Sequence, residues 1–251
     1  MILLSVPPID GVVVSPGLLP MVRPEYFSAP YIMFDVGKNI AKQNSISSKI
    51  VFAYRFYSNV IDKMDSDYAV GGTALVVVPD DFDLKTHVKL ATSWLNSTEH
   101  SALHRRFRDM GYEMIDVLII RRVIKDLITG TVDLSPFMDF VKKYGDSIAY
   151  GVPANESTAL ANANVRCRYY PSQCIAHAKL IINELIRLID KPWIHLLGPT
   201  MPVLRQFMVD GKVTSADTTG HTYGSIHANT GLGKINEVAV LMKLKNKLMG
   251  D

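Results

Sequence analysis

Cysteine is nearly absent: Cys167 and Cys174 are the only two in 251 residues. That excludes a disulfide-built scaffold and makes a reducing, cytoplasmic interior the expected setting. Long apolar runs are missing as well. No uninterrupted stretch approaches the roughly 18 residues of a membrane span, and residues 1–8 lack the basic start and the length of a secretion signal. A soluble chain with no membrane partner is therefore expected. Charge of one sign is also scarce: the formal net charge is +3 and the pI about 8.7. Such a balance permits a polyanionic partner without requiring one. With 48% hydrophobic and 20% charged residues, bulk disorder is excluded.

Several signatures of known chemistry are missing too. No His-x-His pair closes an early strand, which argues against a metal-dependent amidohydrolase barrel. No lysine ends a strand, which argues against Schiff-base aldolase chemistry. No Gly-x-Gly-x-x-Gly follows the first strand, so a Rossmann dinucleotide site is not expected. Gly231, Gly233 and Lys234 lack the spacing and the preceding strand of a phosphate loop. Cys167, Cys174 and His177 do not make a closed set, since structural zinc wants a fourth ligand and a tighter cysteine pair. Neither a metal nor a cofactor is expected.

What the chain does have is alternation. Apolar, β-branched runs at 11–15, 31–35, 74–78, 114–120, 147–151, 193–197 and 213–216 are separated by amphipathic stretches. Strands made only of Val, Ile, Leu and Phe are buried on both faces, and regular alternation with helices implies a parallel sheet. Ser135 and Pro136 cap and start one helix. Residues 172–190 carry Ile175, Ile182, Leu185, Ile186 and Ile189 at helical spacing, and 202–210 form a short helix stopped by Gly211. A closing helix is expected at 235–248.

The expected fold is a single (β/α)8 TIM-like barrel over 1–251, preferred over an open doubly wound sheet. Its eighth strand is sought in the weakly patterned stretch after Gly220, so the ring is irregular or incomplete at that end. Residues 38–72 read as an insertion at the barrel mouth, long for a βα connection.

Three carboxylates sit where strands run out: Asp35, Asp80 and Asp217. The carboxyl ends of such strands are where α/β barrels and open sheets build active sites. Asp217 is flanked by Thr214, Ser215, Ala216, Thr218 and Thr219, small residues that leave a carboxylate open to a substrate. Asp35 precedes Gly37, which lets the backbone turn sharply. Of Asp80 and Asp81, one is expected to enter the pocket and the other to cap the helix starting at Leu84; Asp80 is preferred for the pocket. Gly151 lies in a turn after the fifth strand, where its backbone can meet a planar ligand. Arg105, Arg106, Arg121 and Arg122 form basic clusters able to contact phosphates. For each of these the plain structural reading, a cap, a turn or a solvated helix face, stands beside the functional one.

The series Phe34-Asp35-Val36-Gly37, Val78-Pro79-Asp80, Tyr150-Gly151-Val152, His195-Leu196-Leu197-Gly198 and Ser215-Ala216-Asp217 resembles the tRNA-guanine transglycosylase superfamily, including relatives that insert 7-deazaguanines into DNA. The resemblance covers the catalytic barrel, from about residue 31 to 224. It implies that Asp217 is the nucleophile that displaces guanine from a flipped nucleoside, and that Asp35 moves protons as general acid and base. It implies Asp80, Gly151 and Gly198 as substrate contacts. The implied partners are DNA or tRNA and a free 7-deazaguanine base, with a homodimer as the candidate assembly. The chain departs from the family pattern in three places. Val36-Gly37-Lys38 replaces Ser-Gly-Gly, Arg121-Arg122 stand where a base-reading glutamine belongs, and the C-terminal zinc motif is missing. These departures lean toward DNA or a minimal enzyme. Two other functions remain open: a nucleic-acid-binding barrel without turnover, and a barrel enzyme acting on a small nucleoside or sugar.

Overall fold

The computed structural model describes residues 1–6, 8–64, 68–81, 83–120, 135–154 and 171–217. Arg121, Arg122, Cys167, the run from Gly231 to Lys234 and the helix expected at 235–248 lie outside the described residues.

Eight strands close into a ring in chain order: β1 (Ile2–Ser5), β2 (Gly11–Val14), β3 (Tyr31–Phe34), β4 (Gly72–Val77), β5 (Tyr112–Ile119), β6 (Ile148–Pro153), β7 (Trp193–Leu197) and β8 (Ser215–Asp217). Every neighbouring pair is parallel. The α/β barrel read from the alternation is therefore the fold.

One expectation is corrected. The strand missing from the sequence reading is not after Gly220 but at the front, where Ile2–Ser5 pairs with Ser215–Asp217 and shuts the barrel. β1 escapes notice because no helix follows it. Parallel neighbours ordinarily need a crossover of about a dozen residues, yet only residues 6–10 join β1 to β2. Stagger makes this possible. Leu4 pairs with Gly11 and Ser5 with Val12, so β2 begins level with the end of β1 and the chain has almost no distance to recover. Asp10 seals the step: its N–H donates to Leu3 O at 3.0 Å, and its Oδ2 accepts from Leu3 N at 2.8 Å.

Among the described residues six α-helices wrap the ring: α1 (Ile46–Ile61), α2 (Leu84–Leu95), α3 (Thr98–Asp109), α4 (Ser135–Tyr144), α5 (Pro171–Leu188) and α6 (Met201–Asp210). The stretch read as an insertion, 38–72, holds a 3-10 turn at Gly37–Lys42 and then α1, which is the ordinary outer helix between β3 and β4. Ser45 and Ser48 cap it reciprocally. α4 begins at Ser135, one residue before the start expected at Pro136, and α6 stops at Gly211 with φ +66°, as the sequence indicates. On α5 the buried stripe runs through Cys174, His177, Ala178, Ile181, Ile182 and Leu185. Ile186, expected inside, is 43% exposed, because it follows Leu185 by one residue and so turns past the stripe's edge. Among the described residues no helix is long and apolar enough to cross a membrane.

Side-chain direction around the ring follows from one bond. Trp94 of α2 donates from Nε1 to Asp116 Oδ1 at 2.9 Å, so Asp116 faces the helices and its neighbour Val117 faces the interior. Partners in a parallel register share a face. Carried from pair to pair, this puts Val77, Ala149, Gly151, Trp193, His195, Ser215, Asp217, Leu4 and Met33 inside. Phe34, on the opposite parity, packs outward against Tyr57 of α1 and Phe107 of α3, with ring centroids 6.3 and 5.0 Å away.

His177 is buried at 6% exposure, and its Nδ1 has no hydrogen-bond partner among the described residues. Burial alone pushes its pKa below the usual histidine value of 6.5. Because the folded value is the lower one, the unfolded chain binds the proton first. Stability is therefore intact above the unfolded value and falls as the pH drops through it toward the native value. We expect the melting temperature to fall between about pH 7.5 and about pH 5.5 by less in His177→Leu than in the parent chain. Equal falls in the two proteins would show that this imidazole is not the group responsible.

Candidate active site

All eight strands run the same way, so their carboxyl ends open at one mouth, and the three strand-end acids reach it from two sides. Asp35 continues the β3 ladder, its N–H donating to Val14 O at 2.9 Å. With Phe34 outward, Asp35 takes the inward parity. Its Oδ1 accepts the Gly37 N–H at 2.8 Å across a tight turn, and Gly37 sits at φ +66°, a conformation that favours glycine.

Asp80 follows β4 and lines a cleft of about 360 Å³ with Gln43, Asn44, Ser45, Lys49 and Asp81. The cap of α2 is neither Asp80 nor Asp81. It is Asp83, whose Oδ2 accepts from Thr86 N at 2.9 Å. Asp81 is committed elsewhere, in an ion pair with the buried Lys49. Asp35 and Asp217 are not among the described residues that line this cleft with Asp80, and the capping duty expected of Asp81 passes to Asp83.

Tyr57 ties β3 and β4 together from behind. It is fully buried on α1, its hydroxyl donates to Val77 O at the end of β4, and it is hydrogen-bonded by the backbone of Val36, next to Asp35. Burial raises its pKa well above the ordinary phenol value, and the negative charges of Asp35, Asp116 and Asp80 raise it further. Asp35 and Asp80 therefore act on one buried phenol. Tyr57 stays protonated, a permanent donor that pins the ends of β3 and β4.

Asp217 stands across the mouth. It is the last residue of β8, with β1 and β2 between it and β3. At 8% exposure it has one open edge. The Gly198 N–H donates to its Oδ1 at 2.6 Å, and Gly198 adopts φ +57° to aim that N–H. His195 Nε2 lies 3.7 Å from the same oxygen. Beneath it, Ser215 Oγ receives Trp193 Nε1–H at 2.9 Å and lies 2.8 Å from His195 Nδ1.

Two expectations about glycines change. Gly198 directs its N–H to Asp217. Gly151 is not in a turn but inside β6, its carbonyl accepting from Ile120 N at 2.8 Å. A Cβ there would meet Leu197 Cδ1 at 2.9 Å and Val117 Cγ1 at 3.3 Å, so close interior packing accounts for the glycine.

Arg105 and Arg106 are not at the mouth. α3 leads into the start of β5, so its C-terminal turn lies at the opposite end of the barrel. Arg106 is bound there to Ser58 of α1 and to Asp62, which caps the end of that helix, and Arg105 is exposed beside it. Cys174, buried on α5, is disulfide-bonded. Among the described residues no cluster of His, Cys, Asp and Glu is arranged to hold a metal ion.

Sequence reasoning missed Trp193, His195, Ser215 and Tyr57. A signal existed for the first two: on the 193–197 strand the residues of odd number share a face, and His195 among them is polar. Tyr57 gave none, since an aromatic on a buried helix face reads as core. The chain matches no family model and no curated protein sequence.

Removing the Tyr57 hydroxyl leaves a buried carbonyl at Val77 without its donor, a loss of about 1–3 kcal/mol. Urea denaturation of Tyr57→Phe is expected to show a loss of that size. A change indistinguishable from zero would mean that the phenol does not tie the strands together.

Proposed function

We propose that the chain is a base-exchange transglycosylase, replacing guanine in DNA or tRNA with a 7-deazaguanine through a covalent glycosyl ester on Asp217. One observation carries this reading: both contacts of the Asp217 carboxylate among the described residues fall on Oδ1. With Oδ1 engaged by the Gly198 N–H, this reading assigns the attack to Oδ2.

The reaction balances with the residues at the mouth. Oδ2 forms a bond to the anomeric carbon as the glycosidic bond breaks, and that electron pair leaves on the purine nitrogen. Asp35, in its acid form, supplies the proton the departing base needs and then accepts one from the incoming base. Donation from Gly198 to Oδ1 stabilises the carboxylate and so eases its departure in the second step. Asp80, in the cleft beside β4, faces the edge of the base. A base reaches such a mouth only when extruded from its stack.

A second reading has a specific observation behind it. Arg105 and Arg106 lie at the far end of the barrel, and Arg106 is engaged within the fold. That removes part of the basic surface a polymer would use and favours a free nucleoside or small glycoside as substrate.

Both readings require Asp217. Incubation with guanine-containing DNA and, separately, tRNA is expected to give a covalent protein–nucleic acid species that survives denaturation. Asp217→Asn should abolish it, and Asp35→Asn should slow its formation by at least about 100-fold. Release of guanine from guanosine with no polymer adduct would select the second reading. Absence of both from the parent protein would remove the two together.

A further inference from the structure

His195 is completely buried, yet one of its ring nitrogens, Nε2, has no hydrogen-bond partner among the described residues. A polar atom left unpaired in the interior costs free energy, so its surroundings call for explanation. Nε2 points to Asp217, 3.7 Å from Oδ1. The other nitrogen is engaged 2.8 Å from Ser215 Oγ.

The chain of groups behind the ring assigns its hydrogen. Indole Nε1 is a donor only, so Trp193 fills an acceptor site on Ser215 Oγ. The Ser215 hydroxyl hydrogen is then available to His195 Nδ1. An imidazole accepting at Nδ1 carries its hydrogen at Nε2, and that N–H faces the Asp217 carboxylate. The opposite tautomer would set a lone pair against a carboxylate oxygen.

We propose that His195 is a positioning residue for Asp217. Trp193 and Ser215 hold the ring, the ring presents Nε2–H to Oδ1, and together with Gly198 N–H it fixes the carboxylate so that Oδ2 faces the mouth. At 3.7 Å the contact is longer than a formed hydrogen bond. At this separation the interaction is electrostatic, between the N–H dipole and the carboxylate charge. Register suits His195 to this role, because it is paired with Ser215 in β8, two residues before Asp217 on the same face.

The kinetic part of this inference rests on Asp217 being the nucleophile; the hydrogen-bond part does not. Nitrogen-15 NMR of the histidine rings in the free protein tests the latter. We expect His195 to show a protonated Nε2 and an unprotonated Nδ1, with Asp217→Asn moving the Nε2 signal and Ser215→Ala moving the Nδ1 signal. An unprotonated Nε2, or an Nε2 signal indifferent to Asp217→Asn, overturns the proposal whatever the protein catalyses.

Variants test the kinetics. His195→Asn keeps a group near Ser215 but cannot reach Asp217, whereas His195→Gln places an amide N–H where Nε2 was. Adduct formation is expected to slow about 100-fold in His195→Asn, with the substrate concentration for half-maximal rate little changed. His195→Gln should recover most of that loss. Equal losses in the two variants, at equal melting temperature, would show that the histidine only fills space. Ser215→Ala, which leaves the imidazole in place, is expected to slow the same step and serves where a His195 variant does not fold. Failure of the parent protein to form any adduct would count against the transglycosylase reading, and the NMR result would then decide the His195 assignment alone.

Discussion

The pairing of Ile2–Ser5 with Ser215–Asp217 is the contact on which the rest of this molecule depends. An open sheet of the same strands would leave β1 and β8 as edges with unpaired backbone groups. It would also put Asp217 at one end of a row, far from Asp35 and Asp80. Closure removes the edges and bends the row into a mouth. It also fixes the parity of β8: Leu4 faces the interior, so its partner Asp217 must face it too. A slip of one residue would turn the carboxylate out toward the helices.

Around the ring the same logic sorts acids by role. Asp116 has the outward parity and is fully occupied, with Trp94 Nε1 on one oxygen and His100 Nε2 at 2.8 Å from the other. It binds α2 and α3 to β5. Asp10, Asp81 and Asp83 serve a strand step, an ion pair and a helix cap. Asp35, Asp80 and Asp217 differ in location, since each lies past or at the end of a strand on the mouth side. Tyr57 registers the nearby charge: its phenol is held protonated by burial and by Asp35, Asp116 and Asp80. A neutral donor is well suited to that place, because it ties β3 to β4 without adding a charge among carboxylates.

Much of this was legible in the sequence. Runs such as 74–78 and 114–120 have a single reading once they alternate with capped helices, and Ser135 and Gly211 mark helix ends by residue chemistry alone. β1 was not legible, for a physical reason: its connection is set by stagger between neighbours, and stagger leaves no trace in composition. The α2 cap was misassigned because Asp80, Asp81 and Asp83 offer the same group within four positions. Only the path of the backbone decides which one meets the Thr86 N–H. Glycine serves both turns and crowded interiors, and at Gly151 the difference lies in Val117 and Leu197, distant in sequence.

The interior of the barrel near β7 and β8 is polar where an apolar filling would suffice. Trp193, His195 and Ser215 are linked by side-chain hydrogen bonds across β7 and β8, while the ring's closure rests on backbone pairing. A buried imidazole with an unpaired nitrogen is harder to hold than a leucine. Its position two residues before Asp217 in register gives the arrangement a use, because a ring locked at Nδ1 can present Nε2–H in one direction only. The carboxylate at the end of β8 is thereby constrained from two sides, by the Gly198 backbone and by His195. A side chain free to rotate would lose that orientation each time it turned. Fold and site meet at β8: its pairing with β7 sets the imidazole beside the carboxylate, and its pairing with β1 closes the barrel.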